Sequence, residues 1–308
     1  MHGELRRRAP DPASGRTLAE LIRCGERLFR RARIRFGHGL PGAYHEAAFI
    51  ALHVLGIAPG ELDAHVEKIP GTVERRRILR LFRKRIATRK PTPYLTGEAW
   101  LGDFRFRVNE SVLVPRSYIA ELLEDRLAPW VRYPQRVRST LDLCTGSGCL
   151  AIMLAHAFPK ARVDASDISP AALRLARRNV KDYGLEDRVR LIRSDLFAAL
   201  GDNRYDVIVS NPPYVTVAAM RRLPPEHRHE PRLALAGGRD GLDLVRAIVR
   251  DAARHLTRNG LLVVEVGHAR SRVERAFPRT PFIWPVTSGG DDCVFVIGRD
   301  ELASGKAP

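Results

Sequence analysis

From Ser139 onward, short apolar runs alternate with amphipathic stretches of helical period, and this alternation constrains the fold more than any other property of the 308-residue chain. Strands are expected near 139–144, 161–167, 188–194, 205–210 and 260–267, each an apolar run of strand length bounded by turn residues. Apolar runs separated by helices belong to a parallel sheet covered on both faces. Two further runs, 282–287 and 292–298, follow with no helix between them. Parallel neighbours need a crossover of roughly a dozen residues, so this last pair is expected to be an antiparallel hairpin. The expectation is an α/β domain of seven strands.

The chain before residue 90 reads differently. Leu18, Leu21, Ile22, Gly25, Phe29, Ala32 and Phe36 recur at helical spacing. A second helix is expected over about Ala43–Leu55 and a third over about Val73–Thr88, with Ile78, Leu79, Phe82 and Ile86 inward. Arg75, Arg76, Arg77, Arg80, Arg83, Lys84 and Arg85 are assigned to its outer faces. "KPTPYLTGEAW" is punctuated by Pro and Gly and reads as a connection, "FRFRV" as a strand of a hairpin, and "SYIAELLEDRLAPW" as a helix opening near Ser117. The domain expectation is a helical unit over 1–90, a hairpin linker over 91–116 and the sheet domain over 117–308.

Lys and Arg number 52 against 35 Asp and Glu, a formal charge of +17. Such a surplus points to a polyanionic neighbour such as nucleic acid, a ribosome or an anionic membrane surface; the alternative is an arginine-rich composition whose charge is simply solvated. The four cysteines, Cys24, Cys144, Cys149 and Cys293, form no Cys-x-x-Cys pair and no cluster with His at ligand spacing, so neither a metal site nor a disulfide framework is expected. Buried thiols in a reducing cytoplasm are expected instead. No run approaches the ~18 apolar residues of a membrane span. Met1–Arg16 is polar, lacks the apolar core of a secretory leader and is expected to be a frayed basic tail.

Two segments carry chemistry. "LDLCTGSGCLAI" reads as strand, tight turn, helix. Gly146 and Gly148 let the turn approach a ligand, and the helix opening near Ser147 directs N–H groups at a carboxylate such as the amino-acid end of S-adenosylmethionine. Asp142, at the strand end, can face the ammonium group of that ligand, directly or through water. A Gly-x-Gly turn also fits dinucleotide dehydrogenases, but their third glycine is replaced by Ala151. Asp167 ends the second strand, where a carboxylate accepts from ribose hydroxyls, and Asp195 ends the third, where it can accept from the adenine amino group with Leu196 or Phe197 against the ring. Taken singly, Asp167 is equally a helix cap and Asp195 a solvated turn residue; three acids at three consecutive strand ends favour the ligand.

The second segment, "VIVSNPPYV", ends a buried strand in Asn211-Pro212-Pro213-Tyr214. The prolines fix the backbone and remove two N–H donors. The Asn211 side-chain carbonyl and the Pro212 backbone carbonyl can each take one hydrogen of a planar NH2 group, with Tyr214 holding its plane. That suits a carboxamide or an exocyclic base amine, whose delocalised lone pair needs both N–H bonds polarised for in-line attack on a sulfonium methyl.

Together "DLCTGSGC", "DASDISPAAL", "RSDLF", "NPPYV", "HEPRLALAGGRDGLDL" and "LLVVEVG", with "PTPYLTGEAWLGDFRFRVNESVLVPRS" upstream, resemble the protein-glutamine N(5)-methyltransferases over about Pro91–Ile297. The resemblance implies a class I, Rossmann-like, seven-stranded S-adenosylmethionine methyltransferase domain, with a small N-terminal helical domain joined by a β-hairpin. Cys144, "EAWLGDFRF", "VLVPRSYIAELL" and "EHRHEPRLALAGG" look like the branch that modifies the third protein of the large ribosomal subunit; the release-factor branch usually has Gly at the position of Cys144. By that resemblance Cys144, Thr145, Gly146, Ser147, Gly148 and Asp167 bind S-adenosylmethionine, leaving S-adenosylhomocysteine. Asn211, Pro212, Pro213 and Tyr214 bind the glutamine amide, and Pro115 and Arg116 lie over the cofactor. Asp292-Cys293 departs from the family's Asp-Gly in the last hairpin. The implied partner is a large-subunit ribosomal protein, with ribosomal RNA met through the basic N-terminal helices and no membrane. Rival readings are a release-factor methyltransferase, an adenine-N6 methyltransferase on DNA or RNA, and a non-catalytic assembly factor that would not bind the cofactor.

Overall fold

A computed structural model describes residues 17–304; the expected basic tail, Met1–Arg16, lies outside the described residues. The chain forms two compact units that divide between Thr96 and Gly97.

The first unit comprises α1 (Leu18–Arg31), α2 (Ala43–Leu55), α3 (Leu62–His65), α4 (Thr72–Thr88) and α5 (Thr92–Thr96). Helix α1 opens on a capping box in which the Thr17 hydroxyl accepts from Glu20 N and the Glu20 carboxylate accepts from Thr17 N. Its buried stripe of Leu18, Leu21, Ile22, Gly25 and Phe29 packs on α2 and α4. A Cβ on Gly25 would lie 2.5 Å from the Phe82 ring, so only glycine allows that approach. One expectation fails here. Arg85, assigned to the basic outer face of α4, is fully buried and forms a bidentate pair with the equally buried Glu46 at 2.7 and 3.1 Å. Glu46 also accepts from the Thr92 hydroxyl, and Arg85 caps the Arg35 and Arg89 carbonyls. Its charge is therefore matched inside the bundle. Arg76, Arg77, Arg80, Arg83 and Lys84 are not buried in this way, and Arg76, Arg77, Arg80, Arg83 and Lys84 keep the outer faces expected of them.

The second unit begins with a hairpin, β1 (Glu98–Leu101) and β2 (Phe104–Arg107), followed by α6 (Ile119–Glu124). Then come β3 (Ser139–Leu143), α7 (Cys149–Ala157), β4 (Arg162–Asp167), α8 (Pro170–Asp182), β5 (Val189–Arg193), β6 (Tyr205–Ser210), α9 (Val217–Arg221), α10 (Asp243–Ala252), β7 (Leu256–Glu265), α11 (Arg270–Ala276), β8 (Val294–Gly298) and α12 (Arg299–Ser304). The hairpin is more than a linker. Asn179 of α8 accepts from Arg107 N and donates to Arg107 O, and the Tyr183 hydroxyl bonds both backbone groups of Arg105.

The main sheet has the order β5-β4-β3-β6-β7-β8, parallel except for β8. Side chains alternate between its faces as the pleat requires. Val207, Val209, Val263 and Val296 point into one core, with α6, α7 and α8, while Leu141, Ile208, Leu262 and Phe295 point into the other, with α10. The strand order reverses beside β3, and the crevice at the carboxyl ends of β3 and β6 is where a ligand binds such a sheet. The expected seventh strand at 282–287 is reduced to two isolated antiparallel bridges, Ile283 with Val296 and Thr287 with Gly290, each pair exchanging both backbone hydrogen bonds. Pro281 and Pro285 lack the N–H groups needed to extend it. The expected antiparallel strand at 292–298 is β8, paired to β7. Among the described residues no single helix is long and apolar enough to cross a membrane.

Candidate active site

The crevice is a cavity lined by the turn after β3, the ends of β4 and β5, the start of the loop after β6, the stretch Ser111–Ser117 leading into α6, and Pro231, Leu233 and Ala234. Cys144, Gly146 and Gly148 all adopt the left-handed conformation, which coils the turn tightly. For Cys144 that conformation costs about 1–2 kcal/mol. Asp167 holds the turn in place: one carboxylate oxygen accepts from Gly146 N at 2.9 Å and the other from Ser169 N at 2.8 Å. Each oxygen keeps a second lone pair, and Asp167 lines the cavity. Burial raises its pKa. The cap of α8 falls to Ser169, whose hydroxyl accepts from Ala172 N.

Of the residues expected to hold the cofactor or the amide, Cys144, Thr145, Gly146, Ser147, Asp167, Asp195, Leu196 and Asn211 all line this cavity. A Cβ on Gly146 would meet no protein atom within 4 Å, so this glycine keeps space open for an occupant. Gly148 is not on the wall; a Cβ there would lie 3.2 Å from Ala176 Cβ, and its role is close packing on α8. Asp142 does not line the cavity either. It is fully buried behind the turn, where Oδ2 accepts from the Thr145 hydroxyl at 2.5 Å and Ala151 N at 3.0 Å. Its Oδ1 is buried without a protein partner, and burial pushes the carboxyl up to about 7. Asp195 is exposed at the rim and Leu196 lines the wall, whereas Phe197 turns into the core and stacks on His255 at 4.6 Å.

At the end of β6, the Ser210 hydroxyl donates to Leu143 O, which locks the two strand ends together. Asn211 and Pro213 line the cavity, and Pro212 is buried behind them. The Asn211 carboxamide has no protein hydrogen-bond partner among the described residues. Tyr214 does not line the cavity. Its ring lies against Gly267, where a Cβ would come within 2.8 Å, and its Cα packs on Gly237, where a Cβ would come within 2.6 Å. The phenol donates to Glu265 at 3.3 Å and stays protonated, because burial and the Glu265 charge raise its pKa. The Cys144 thiol is held protonated by burial in the same way.

Two carboxylates that the sequence reading left without a role organise the opposite wall. Glu265, buried at the end of β7, accepts from the Ser117 hydroxyl at 2.6 Å, Tyr118 N at 2.8 Å and the Tyr214 phenol. Glu230, also buried, forms a bidentate pair with Arg116, both oxygens at 2.8 Å from the guanidinium. The stretch carrying Pro115 and Arg116 is thus fastened from the loop of Glu230 and from the end of β7, and Glu265 joins it to the tetrapeptide.

Comparison with known proteins gives the family. Residues 122–223 match the family described as Methyltransferase small domain. The chain is 50% identical over 286 residues to the ribosomal protein uL3 glutamine methyltransferase of Bordetella pertussis, covering 93% of this chain and 96% of that one. It is 46% identical to the protein of the same name from Neisseria meningitidis, covering 93% and 94%. For the one from Burkholderia pseudomallei the identity is 45%, covering 94% and 97%.

Proposed function

The chain belongs to the ribosomal protein uL3 glutamine methyltransferases, and from that premise we propose that it methylates a glutamine side-chain nitrogen of uL3, with S-adenosylmethionine as donor and Asn211 and Pro212 as the clamp on the amide. Bound in the cavity, S-adenosylmethionine supplies a methyl group activated by a sulfonium. The residues present fit it. The open space at Gly146, the spare lone pairs of Asp167 and the pairing of exposed Asp195 with apolar Leu196 suit the amino-acid end, the ribose and the adenine in turn.

The observation that carries the reading is the unpartnered Asn211 carboxamide on the cavity wall, beside a proline-fixed backbone. Its oxygen and the Pro212 carbonyl take the two hydrogens of the glutamine NH2 group. Polarising both N–H bonds returns electron density to a nitrogen that resonance otherwise makes a poor nucleophile, and it aligns the lone pair for in-line attack. The nitrogen loses its proton after transfer, so no strong base is required. Tyr214, tied to Glu265, braces the clamp from behind. The exposed arginines of α4 serve to meet ribosomal RNA around an assembling particle, and the substrate implies the cytoplasm as the compartment.

Asn211→Ala tests the clamp. It leaves a buried N–H of the substrate unpaired at about 1–3 kcal/mol, which lowers turnover roughly 5- to 150-fold while cofactor affinity is kept. Labelled-methyl transfer to uL3 with mass-spectrometric site mapping measures it. Unchanged turnover, or label on a residue other than glutamine, would sink the assignment.

A further inference from the structure

Beyond the cavity, three side chains of different chemistry meet at one point beside the β7–β8 pairing. His268 follows the turn after β7, and Asp292 and Cys293 precede β8. Val266 N donates to Cys293 O, which brings the two segments together. The His268 Nδ1 lies 2.9 Å from Asp292 Oδ1 and 3.5 Å from Cys293 Sγ, and Sγ lies 3.4 Å from Asp292 Oδ1.

We propose that His268, Asp292 and Cys293 form a binding site for a thiophilic divalent cation of the zinc class. Bonds of about 2.0–2.3 Å at tetrahedral angles place ligand atoms about 3.4–3.6 Å apart. Two of the three separations match this, and the third, 2.9 Å between His268 Nδ1 and Asp292 Oδ1, must open by about half an ångström. The direction of the three side chains supports the same conclusion. A proton relay through histidine uses its two ring nitrogens in turn, whereas here thiol and carboxylate both lie within 3.5 Å of the same nitrogen, so the three ligand atoms form one cluster, with the thiol also donating to Gly289 O at 3.2 Å. One sulfur, one imidazole and one carboxylate are the donors zinc accepts, while calcium wants about six to eight oxygens. Asp291 and Glu265 add negative charge around the thiol. Arg270, the nearby cation, is engaged by Asp291 and Glu274. His268 is exposed and Cys293 buried, so the ion enters from solvent and seats against the sulfur. Binding expels the thiol proton to solvent, and three protein donors leave the fourth position to water. The occupied site fastens the turn containing Gly267, which backs the Tyr214 ring, to the start of β8.

Cobalt(II), added alone to the full-length protein under reducing conditions without chelators, tests this, with zinc as competitor. One equivalent is expected to bind with the intense visible bands of a four-coordinate ion and a thiolate-to-metal charge-transfer band, and zinc should displace it. Cys293→Ser should abolish the charge-transfer band. His268→Ala, at an exposed position that leaves folding intact, should weaken cobalt binding tenfold or more. Absence of the charge-transfer band in the parent protein overturns the proposal. So does a band that persists in folded Cys293→Ser, or an affinity unchanged in His268→Ala.

Discussion

Replacing Asp142 by asparagine should change how the stability of the second unit depends on pH. The carboxyl is fully buried, and one oxygen has no protein partner. Burial carries its pKa from 3.8 to about 7. At about 1.4 kcal/mol per pH unit, that distance amounts to about 4 kcal/mol, an order-of-magnitude figure. The folded state holds the proton more tightly than the unfolded state. The stability this provides is therefore complete below about pH 4, declines as pH rises, and is lost above about 7. Asparagine keeps an acceptor for the Thr145 hydroxyl and Ala151 N but cannot ionise. Its NH2 group meets the unpartnered side and costs about 1–3 kcal/mol at every pH. The slope, not the offset, is thus the readout. Denaturant unfolding at pH 5, 6, 7 and 8, with hydrogen exchange of the β3–α7 peptide to localise the effect, should show the variant gaining on the parent by a few kcal/mol across that range. Parallel curves would refute the argument that Asp142 carries a buried, pH-dependent charge.

Gly146→Val should leave the fold intact apart from about 1–2 kcal/mol of left-handed strain, because nothing in the protein meets the new side chain. Cofactor affinity by calorimetry should fall at least tenfold. Glu230→Gln breaks the bidentate grip on Arg116 and should cost about 3 kcal/mol, the low end for a buried pair because Arg116 reaches solvent. Faster hydrogen exchange through Val112–Ser117 would register it. Reversing the charge of Arg76, Arg80 and Arg83 should flatten the salt dependence of binding to ribosomal precursors, by roughly 0.7–0.9 in log–log slope for each phosphate no longer neutralised. An unchanged slope would remove α4 from the interface.

What the sequence made legible was whatever depends on neighbours along the chain. The strands from β3 to β6, the left-handed glycines and the proline-fixed corner are local patterns, and each stands where its period or punctuation places it. What escaped depends on partners far away. Arg85 reads as surface charge until Glu46, 39 residues earlier, is known to face it. Glu265 gains its role from Ser117, 148 positions away, and Glu230 from Arg116, 114 away. The meeting of His268 with Cys293 was hidden for the same reason: 25 residues separate them and show no ligand spacing, yet strand pairing closes the gap. Asp142 was placed at the right strand end, but sequence alone does not say on which side of a turn a side chain falls.

The glycines around the tetrapeptide bear on how this enzyme can evolve. Gly237, Gly241 and Gly267 leave room for no side chain against Tyr214. Drift at those three positions is barred, and the reactive corner cannot be retuned from its own surroundings. Adaptation to a new target has to arise where variation is harmless, at exposed rim residues such as Ile168 and Leu233. Relatives that modify other chains should therefore keep the same corner and differ around its mouth.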